Sequence, residues 1–339
     1  MTRLFGTDGI RGVANVDLRP TLAYALGRAT ASRLLAPGGR LLVGQDTRRS
    51  GDMLAAAIVA GATSIGADVH RLGVCPTPAL SFVTGDAGFG AGIMVSASHN
   101  PADDNGLKVL DAHGLKLDDT AEDELEAIIL QADELPSPGN AGLGREVDAR
   151  GALGRYRAHR MGLADRARGG FRVSLDCANG SGGVVAPDII AATGADVRVH
   201  FNEPDGCNIN LGCGATAPGA LAALVTDDGS DVGFALDGDA DRCVAVDERG
   251  HVVDGDQLLG IIALDRLSRA ALEQSTLVVS VLSNGGSRPS WRSEGVGSSG
   301  RPWATSTSSM RCWSMARGWA ARRAVMSSSA STPRAATAS

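Results

Sequence analysis

From residue 40 onward the chain alternates short apolar runs with longer helix-forming stretches, and this alternation leaves few architectures open to it. Residues 40–45 read Arg-Leu-Leu-Val-Gly-Gln, an Ala-rich helical run covers 53–65, and residues 68–72 return to Asp-Val-His-Arg-Leu. Strands that alternate with helices assemble into parallel sheets covered on both faces, which is why such strands read as nearly continuous apolar runs. Glycine is abundant (45 residues) and aromatic side chains are few (4%), as suits an α/β chain with many tight turns between strands and helices. A further strand at 92–96 runs into Ser98-His99-Asn100-Pro101, where the proline cannot continue a central strand and predicts a turn. That turn lies at the carboxyl end of a strand, the edge at which open α/β sheets bind their ligands.

At 339 residues and 43% hydrophobic, the chain is long enough for two or three domains. Thr120 is read as the N-cap of an acidic helix running to about Gln131, and Pro136-Ser137-Pro138-Gly139 ends that stretch. A boundary is expected between 136 and 165. We divide the chain into a first domain over 1–160 and a second over 161–253, the latter with strands at 171–176, 197–201 and 231–236. Residues 254–286 open a third unit with a helix over 256–268 and a strand over 277–282. The six cysteines (Cys75, Cys177, Cys207, Cys213, Cys243 and Cys312) form no CxxC pair and have no accompanying His spacing. Neither a zinc site nor a redox motif is supported, and reduced thiols are expected. The N-terminus lacks an apolar signal core, and no apolar run reaches the length of about 18 residues that a membrane span needs. A soluble, cytoplasmic protein is expected.

The net charge of −6 hides an asymmetry: residues 1–286 hold 24 basic and 37 acidic side chains, whereas 287–339 hold eight Arg and one Glu. A body this acidic excludes nucleic-acid binding by general electrostatics, so any phosphate it binds must be held by a local site. The last 53 residues contain 14 Ser and all four Trp but no Leu, Ile, Phe, Lys or Asp, and they carry no amphipathic period. Without aliphatic residues they cannot build an ordinary core, and disorder or irregular packing is expected. This composition is also what out-of-frame reading of a GC-rich coding sequence produces, so 287–339 is read as a frameshifted tail. A genuine basic tail that binds nucleic acid or membrane is the alternative, and salt would abolish its binding.

The chemistry is concentrated in three places. Asp237-Gly238-Asp239-Ala240-Asp241-Arg242 sets three carboxylates at alternate positions of a loop that follows a strand. Such carboxylates repel one another unless a hard cation sits among them, and Mg²⁺ with a phosphate completing its oxygen shell is the first reading. Ca²⁺ is the second: Glu248 falls at the twelfth position of an EF-hand count, but Arg242 stands where that loop needs glycine. A solvated turn without metal is the third. In 94–101, Ser96 and Ser98 project from one face of an extended strand; Ser98 is expected exposed at its end, with Ser96 supporting it from within. No Gly-x-Ser-x-Gly elbow surrounds them, and neighbours such as Ser98 and His99 seldom form a working hydrolase pair, so His99 either orients the loop or moves protons. Phe5-Gly6-Thr7-Asp8-Gly9-Ile10-Arg11-Gly12 is either a structural turn or a phosphate cradle of backbone amides and Arg11. Lys108 is an acid/base group if its surroundings depress its pKa, and a solvated surface lysine otherwise.

Together, the segments 5–11, 96–101 and 237–242 resemble the α-D-phosphohexomutase superfamily, most closely its phosphoglucosamine mutase branch, over about residues 3–286. The resemblance implies consecutive α/β/α domains with mainly parallel mixed sheets, here with the third domain incomplete and the fourth absent. It implies that Ser98 is the phosphoserine and that Asp237, Asp239 and Asp241, with the phosphate of Ser98, bind one Mg²⁺. Arg11, His99, Lys108 and Arg242 match further active-site positions, the two arginines for phosphate and Lys108 or His99 for a hydroxyl proton. The implied activity interconverts glucosamine 6-phosphate and glucosamine 1-phosphate, a step toward UDP-N-acetylglucosamine and the cell wall, through a sugar bisphosphate that turns around between two phosphoryl transfers. Ser98 must be charged first, by a kinase or by autophosphorylation. The superfamily's sugar-selecting Gly-Glu-x-Ser-Gly loop and Arg-x-Ser-Gly-Thr-like phosphate loop do not occur in the sequence, so impaired sugar binding is expected. Phosphomannomutase or phosphoglucomutase specificity, and a pseudoenzyme binding Mg²⁺ or phosphosugar, are the alternatives. The expected partner is an amino-sugar phosphate, with no nucleic acid and no membrane.

Overall fold

Strand β1 (Ile10–Val13) emerges from the glycine-rich stretch near the N-terminus and is followed by α1 (Pro20–Leu34), β2 (Arg40–Gln45), α2 (Ser50–Thr63), β3 (Asp68–Val74) and α3 (Thr77–Asp86). Next come β4 (Ala91–Val95), β5 (Asp104–Leu110), α4 (Asp119–Ile129), β6 (Glu146–Asp148) and α5 (Leu153–Gly162). These strands form one six-stranded sheet in the order β1-β5-β4-β2-β3-β6. The four strands β4, β2, β3 and β6 run parallel, while β5 and β1 add an antiparallel edge. The computed structural model describes residues 3–164, 170–273, 276–280 and 297–301.

The two-residue period of a strand explains how the sheet is covered. Leu41, Val43, Ile93 and Val95 join Leu26, Leu54, Ile58 and Leu125 in a core on one face. Leu42 and Met94 point the other way, into a second core with Leu80, Val83 and Tyr156. Helices α1, α2 and α4 therefore cover one face, and α3 and α5 the other. The acidic helix α4 starts two residues earlier than Thr120 suggested: the Asp118 carboxylate accepts from the backbone N–H of Ala121 and is the N-cap. A carboxylate both bonds the free amide and faces the positive helix end, which a threonine hydroxyl does more weakly.

Helices α1 and α2 touch through glycine. A Cβ at Gly61 would fall far inside van der Waals contact with the carbonyl oxygen of Tyr24, and one at Gly27 would meet that of Ile58. Backbone cannot yield as a side-chain tip can. For Gly61→Ala we expect a clash of ~1–3 kcal/mol to outweigh the ~1 kcal/mol that alanine contributes as a better helix former. Urea unfolding should show a lowered midpoint; an unchanged or raised midpoint would mean that the helices separate freely.

A second sheet is built from β7 (Arg172–Asp176), α6 (Ala186–Ala191), β8 (Asp196–His200), α7 (Pro218–Asp228), β9 (Val232–Leu236), β10 (Cys243–Asp247) and β11 (Val252–Val253). Its order is β11-β10-β9-β7-β8, with β9, β7 and β8 parallel and the β10–β11 hairpin antiparallel. Helix α8 (Gly255–Ser268) then begins at a capping box in which Asp254 and Gln257 satisfy each other's backbone amides. Leu277 of β12 (Thr276–Ser280) packs against Ala263 of α8. Strand β12 pairs in parallel with β13 (Gly297–Arg301). These five residues of the segment expected to be disordered or irregularly packed form a strand, because ladder pairing uses backbone groups and needs no aliphatic side chain. The rest of the tail, including Cys312, and the expected end of the strand at 281–282 lie outside the described residues. The five described cysteines are free. Among the described residues no helix is long and apolar enough to cross a membrane.

Candidate active site

Ser98 follows β4 and Asp237 follows β9, so the carboxyl ends of parallel strands from the two sheets face each other. The Ser98 hydroxyl donates to Asp237 Oδ2 at 2.6 Å. This approach depends on Gly238, where a Cβ would lie 2.6 Å from the Ser98 carbonyl oxygen and 2.7 Å from Ile209 Cδ1. Ser98 is buried rather than exposed at the strand end as the sequence suggested, because the 237–242 loop closes over it. Its backbone is left-handed, with φ of 55°, an uncommon conformation for a residue with a Cβ. Ser96 lies beneath, fully buried, and its hydroxyl oxygen accepts from the Ser98 N–H at 2.9 Å.

The three loop carboxylates converge: one oxygen from each of Asp237, Asp239 and Asp241 lies within 4.8 Å of the others. Asp239 Oδ1 and Asp241 Oδ1 are buried and have no hydrogen-bond partner among the described residues. Buried carboxylate oxygens left without donors are costly, and a hard divalent cation would satisfy both. The donor set therefore fits Mg²⁺, all oxygens, with no soft ligand. Burial followed by the negative charges of Asp239 and Asp237 pushes Asp241 up to about 8. Burial and then Asp239 likewise raise Asp237. For Asp239 burial acts upward, but the Lys108 ammonium and hydrogen bonds from Thr77 and Lys108 bring its pKa below the ordinary value.

Lys108 is neither a surface lysine nor a depressed one. Its ammonium is buried, 2.9 Å from Asp239 Oδ2, 3.0 Å from Asp8 Oδ2 and 3.8 Å from Asp241 Oδ2. Burial alone would lower its pKa, yet Asp239, Asp8 and Asp241 together outweigh that effect and raise it. The condition for Lys108 to act as a base is not met here. Arg11 pairs with Asp8 at 2.6 Å and reaches toward the Ala97 carbonyl, so the N-terminal turn does come to the serine loop. His99 Nδ1 lies 3.4 Å from the Ser98 hydroxyl, and its pKa is lowered by burial and then by Arg242 and Arg11. Arg242 donates its backbone N–H to Asp237 Oδ1, while its half-exposed side chain lies 3.9 Å from Asp241.

Residues that the sequence did not single out complete the arrangement. Thr77 at the start of α3 donates its hydroxyl to Asp239 Oδ2 at 2.6 Å and its N–H to the Asp239 carbonyl. Asn210 donates to the carbonyls of Ser98 and Asn100. Asp8, quoted only as part of a turn, bridges Lys108 and Arg11.

Known proteins share this chain's sequence and fold. Residues 2–136 match the family described as phosphoglucomutase/phosphomannomutase, alpha/beta/alpha domain I, and residues 155–250 match domain II of the same family. A phosphoglucosamine mutase of Carboxydothermus hydrogenoformans is 46% identical over 299 residues, covering 87% of this chain and 68% of the relative. The chain belongs to the phosphoglucosamine mutase family. Another member of that family, from Moorella thermoacetica, is 50% identical over 289 residues, 84% of this chain and 65% of the relative. The chain thus spans slightly less than two thirds of the length of that relative. A phosphoglucomutase/phosphomannomutase family protein from Burkholderia thailandensis superposes with a TM-score of 0.76 at 26% identity, covering 90% of this chain and 67% of the other. An N-acetylphosphoglucosamine mutase from Aspergillus fumigatus, solved with GlcNAc-6P and magnesium, shares the fold at a TM-score of 0.53 and 19% identity. The segment matched to domain I of the phosphoglucomutase/phosphomannomutase family holds β1–β5, and that matched to domain II holds β7–β10.

Proposed function

We propose that this chain carries a phosphoryl group on Ser98 and exchanges it with an amino-sugar phosphate, as the transfer half of a glucosamine 6-phosphate to glucosamine 1-phosphate mutase. The observation that carries the reading is the 2.6 Å contact of Ser98 with Asp237, beside two buried carboxylate oxygens that lack donors. Asp237, Asp239 and Asp241 would hold Mg²⁺ together with the phosphate on Ser98. When bound, the cation offsets negative charge on the transferring group.

In the forward step a sugar hydroxyl oxygen forms a bond to the phosphorus as the bond from phosphorus to Ser98 Oγ breaks. The hydroxyl proton leaves the sugar, and Ser98 regains one when the phosphoryl group departs. His99 Nδ1, at 3.4 Å from Ser98 Oγ, is the nitrogen placed to hold a proton there. Lys108 keeps its charge within the carboxylate ring, and Arg11 and Arg242 flank the opening as phosphate contacts. Because little bond-making is asked of the protein, alignment and charge carry most of the rate. The division of the chain at 160 and 253 belongs to this reading, with the serine loop in the first part and the aspartate loop in the second.

The test uses the full chain, a hexosamine 1,6-bisphosphate and Mg²⁺. One phosphoryl group should appear on Ser98, located by fragmentation mass spectrometry, and chelation of the metal should stop its appearance. Labelling elsewhere, or none, overturns the reading. Running the glucose and mannose bisphosphates in parallel tests the alternative specificities, and sugar-phosphate binding without any transfer would favour a pseudoenzyme.

A further inference from the structure

The structure assigns Arg48 as the positioning residue that holds Ser98 in its transfer geometry, acting through the backbone of the serine loop rather than by touching the reacting atoms. The assignment rests on Ser98 being the phosphoryl carrier. Arg48 stands in the loop between β2 and α2, and its side chain is wholly buried. It donates through Nη2 to the carbonyls of Ser98 at 3.0 Å and Asn100 at 2.8 Å, and through Nη1 to those of Pro101 and, at 3.0 Å, Asp104. One planar guanidinium therefore binds four carbonyls of a single loop. Only an arginine offers that fixed fork of donors.

The remaining donor, Nε, is bound by Asp46 at 3.0 Å, and Asp46 also accepts from the Arg48 N–H and from the Ser96 hydroxyl at 2.6 Å. Ser96 in turn accepts from the N–H of Ser98. Both backbone groups of Ser98 are thus fixed by one buried unit, the carbonyl by Arg48 and the amide by Asp46 through Ser96. A left-handed residue with a Cβ persists only where its surroundings hold it, and this unit does so. Asn210 closes the loop from the second sheet's side, donating to the same Ser98 and Asn100 carbonyls at 2.9 and 3.2 Å. Neighbours of Arg48 extend the connection: the Thr47 hydroxyl donates to the Asn179 carbonyl at 2.6 Å and the Arg49 N–H to that of Gly206 at 2.9 Å. The 46–49 loop consequently sets the direction of Ser98 and the seat of the aspartate-bearing unit together.

The experiment compares wild type, Arg48→Lys and Asn210→Ala in the full chain. Lysine keeps the charge beside Asp46 but cannot reach four carbonyls. At saturating hexosamine 1,6-bisphosphate, the single-turnover rate of Ser98 phosphorylation should fall about 100-fold in Arg48→Lys, as misplacement of a reacting group by an ångström costs. The half-saturating bisphosphate concentration and the binding of Mn²⁺ should stay as in wild type. Hydrogen exchange should rise in the 96–104 peptide and not in β2 or β4. Asn210→Ala, at a half-buried position, gives the same pattern with a smaller loss and serves if Arg48→Lys does not fold. A wild-type rate with unchanged exchange in 96–104, or a loss confined to binding, overturns the assignment. If wild type accepts no phosphoryl group, the functional reading fails while the exchange measurement still decides whether Arg48 holds the loop.

Discussion

Ser98→Ala should accept no phosphoryl group from a hexosamine 1,6-bisphosphate, a loss of at least about 10³-fold against wild type, as expected when a covalent nucleophile is removed. The hydroxyl oxygen is the only atom lost from the site, so metal binding by Asp237, Asp239 and Asp241 should survive. Stability should respond as well. The Ser98 hydroxyl donates to a buried Asp237 oxygen, and leaving that acceptor without its donor costs ~1–3 kcal/mol. Ser98→Gly separates this effect from backbone strain. At a φ of 55° a Cβ costs ~1–2 kcal/mol, against ~0.4–1 kcal/mol that alanine recovers by restricting the unfolded chain. The glycine variant should therefore be the more stable of the two by about 1 kcal/mol while remaining equally inert. Residual labelling of either variant at a neighbouring residue would show that the site does not depend on Ser98. Equal stability of the two would mean that the serine loop relaxes out of its left-handed conformation.

What the sequence made legible was whatever a short stretch encodes by itself. Three carboxylates at alternate positions of a loop after a strand mark a cluster, which the fold does bring together, and Ser96 two residues before Ser98 announces support on the same face. The strands at 40–45 and 92–96 were legible because burial on both faces leaves an unbroken apolar run. What escaped notice depends on contacts between segments far apart in the chain. Nothing in the sequence singles out Asp46 and Arg48, since charged side chains are seldom fully buried, and only the fold shows that they end beneath a loop 50 residues away. Thr77 and Asp239 are likewise joined across the two sheets. Lys108 is the clearest case: its surroundings decide between a depressed and a raised pKa, and two of its three carboxylate partners come from the aspartate loop of the other unit. The antiparallel β1–β5 edge escaped for a related reason, because a glycine-rich turn and a strand that starts at Ile10 share the same residues.

The aspartate loop makes the second large prediction, since neutralising one carboxylate should remove most of the cation's hold while leaving the metal-free protein folded. Asp239 is the informative position: it is fully buried, its Oδ2 accepts from Thr77 and Lys108, and its Oδ1 has no donor among the described residues. In Asp239→Asn the side-chain oxygen can still accept from Thr77 and Lys108, and Lys108 keeps Asp8 and Asp241 as counter-charges. The amide NH₂, however, would point a donor where the cation needs an acceptor. Losing one full charge toward a divalent ion in a partly screened interior costs on the order of 3 kcal/mol, and each 1.4 kcal/mol is about tenfold in affinity. Binding should weaken by about 100-fold or more. At a Mg²⁺ concentration about 100 times the wild-type dissociation constant, the metal should stabilise wild type by ~2.7 kcal/mol but the variant by only ~0.4 kcal/mol. Thermal melts with and without Mg²⁺ measure both quantities on the same samples. A variant that gains as much from Mg²⁺ as wild type would show that the ion binds elsewhere. One that unfolds without metal would show instead that Asp239 serves chiefly to neutralise Lys108.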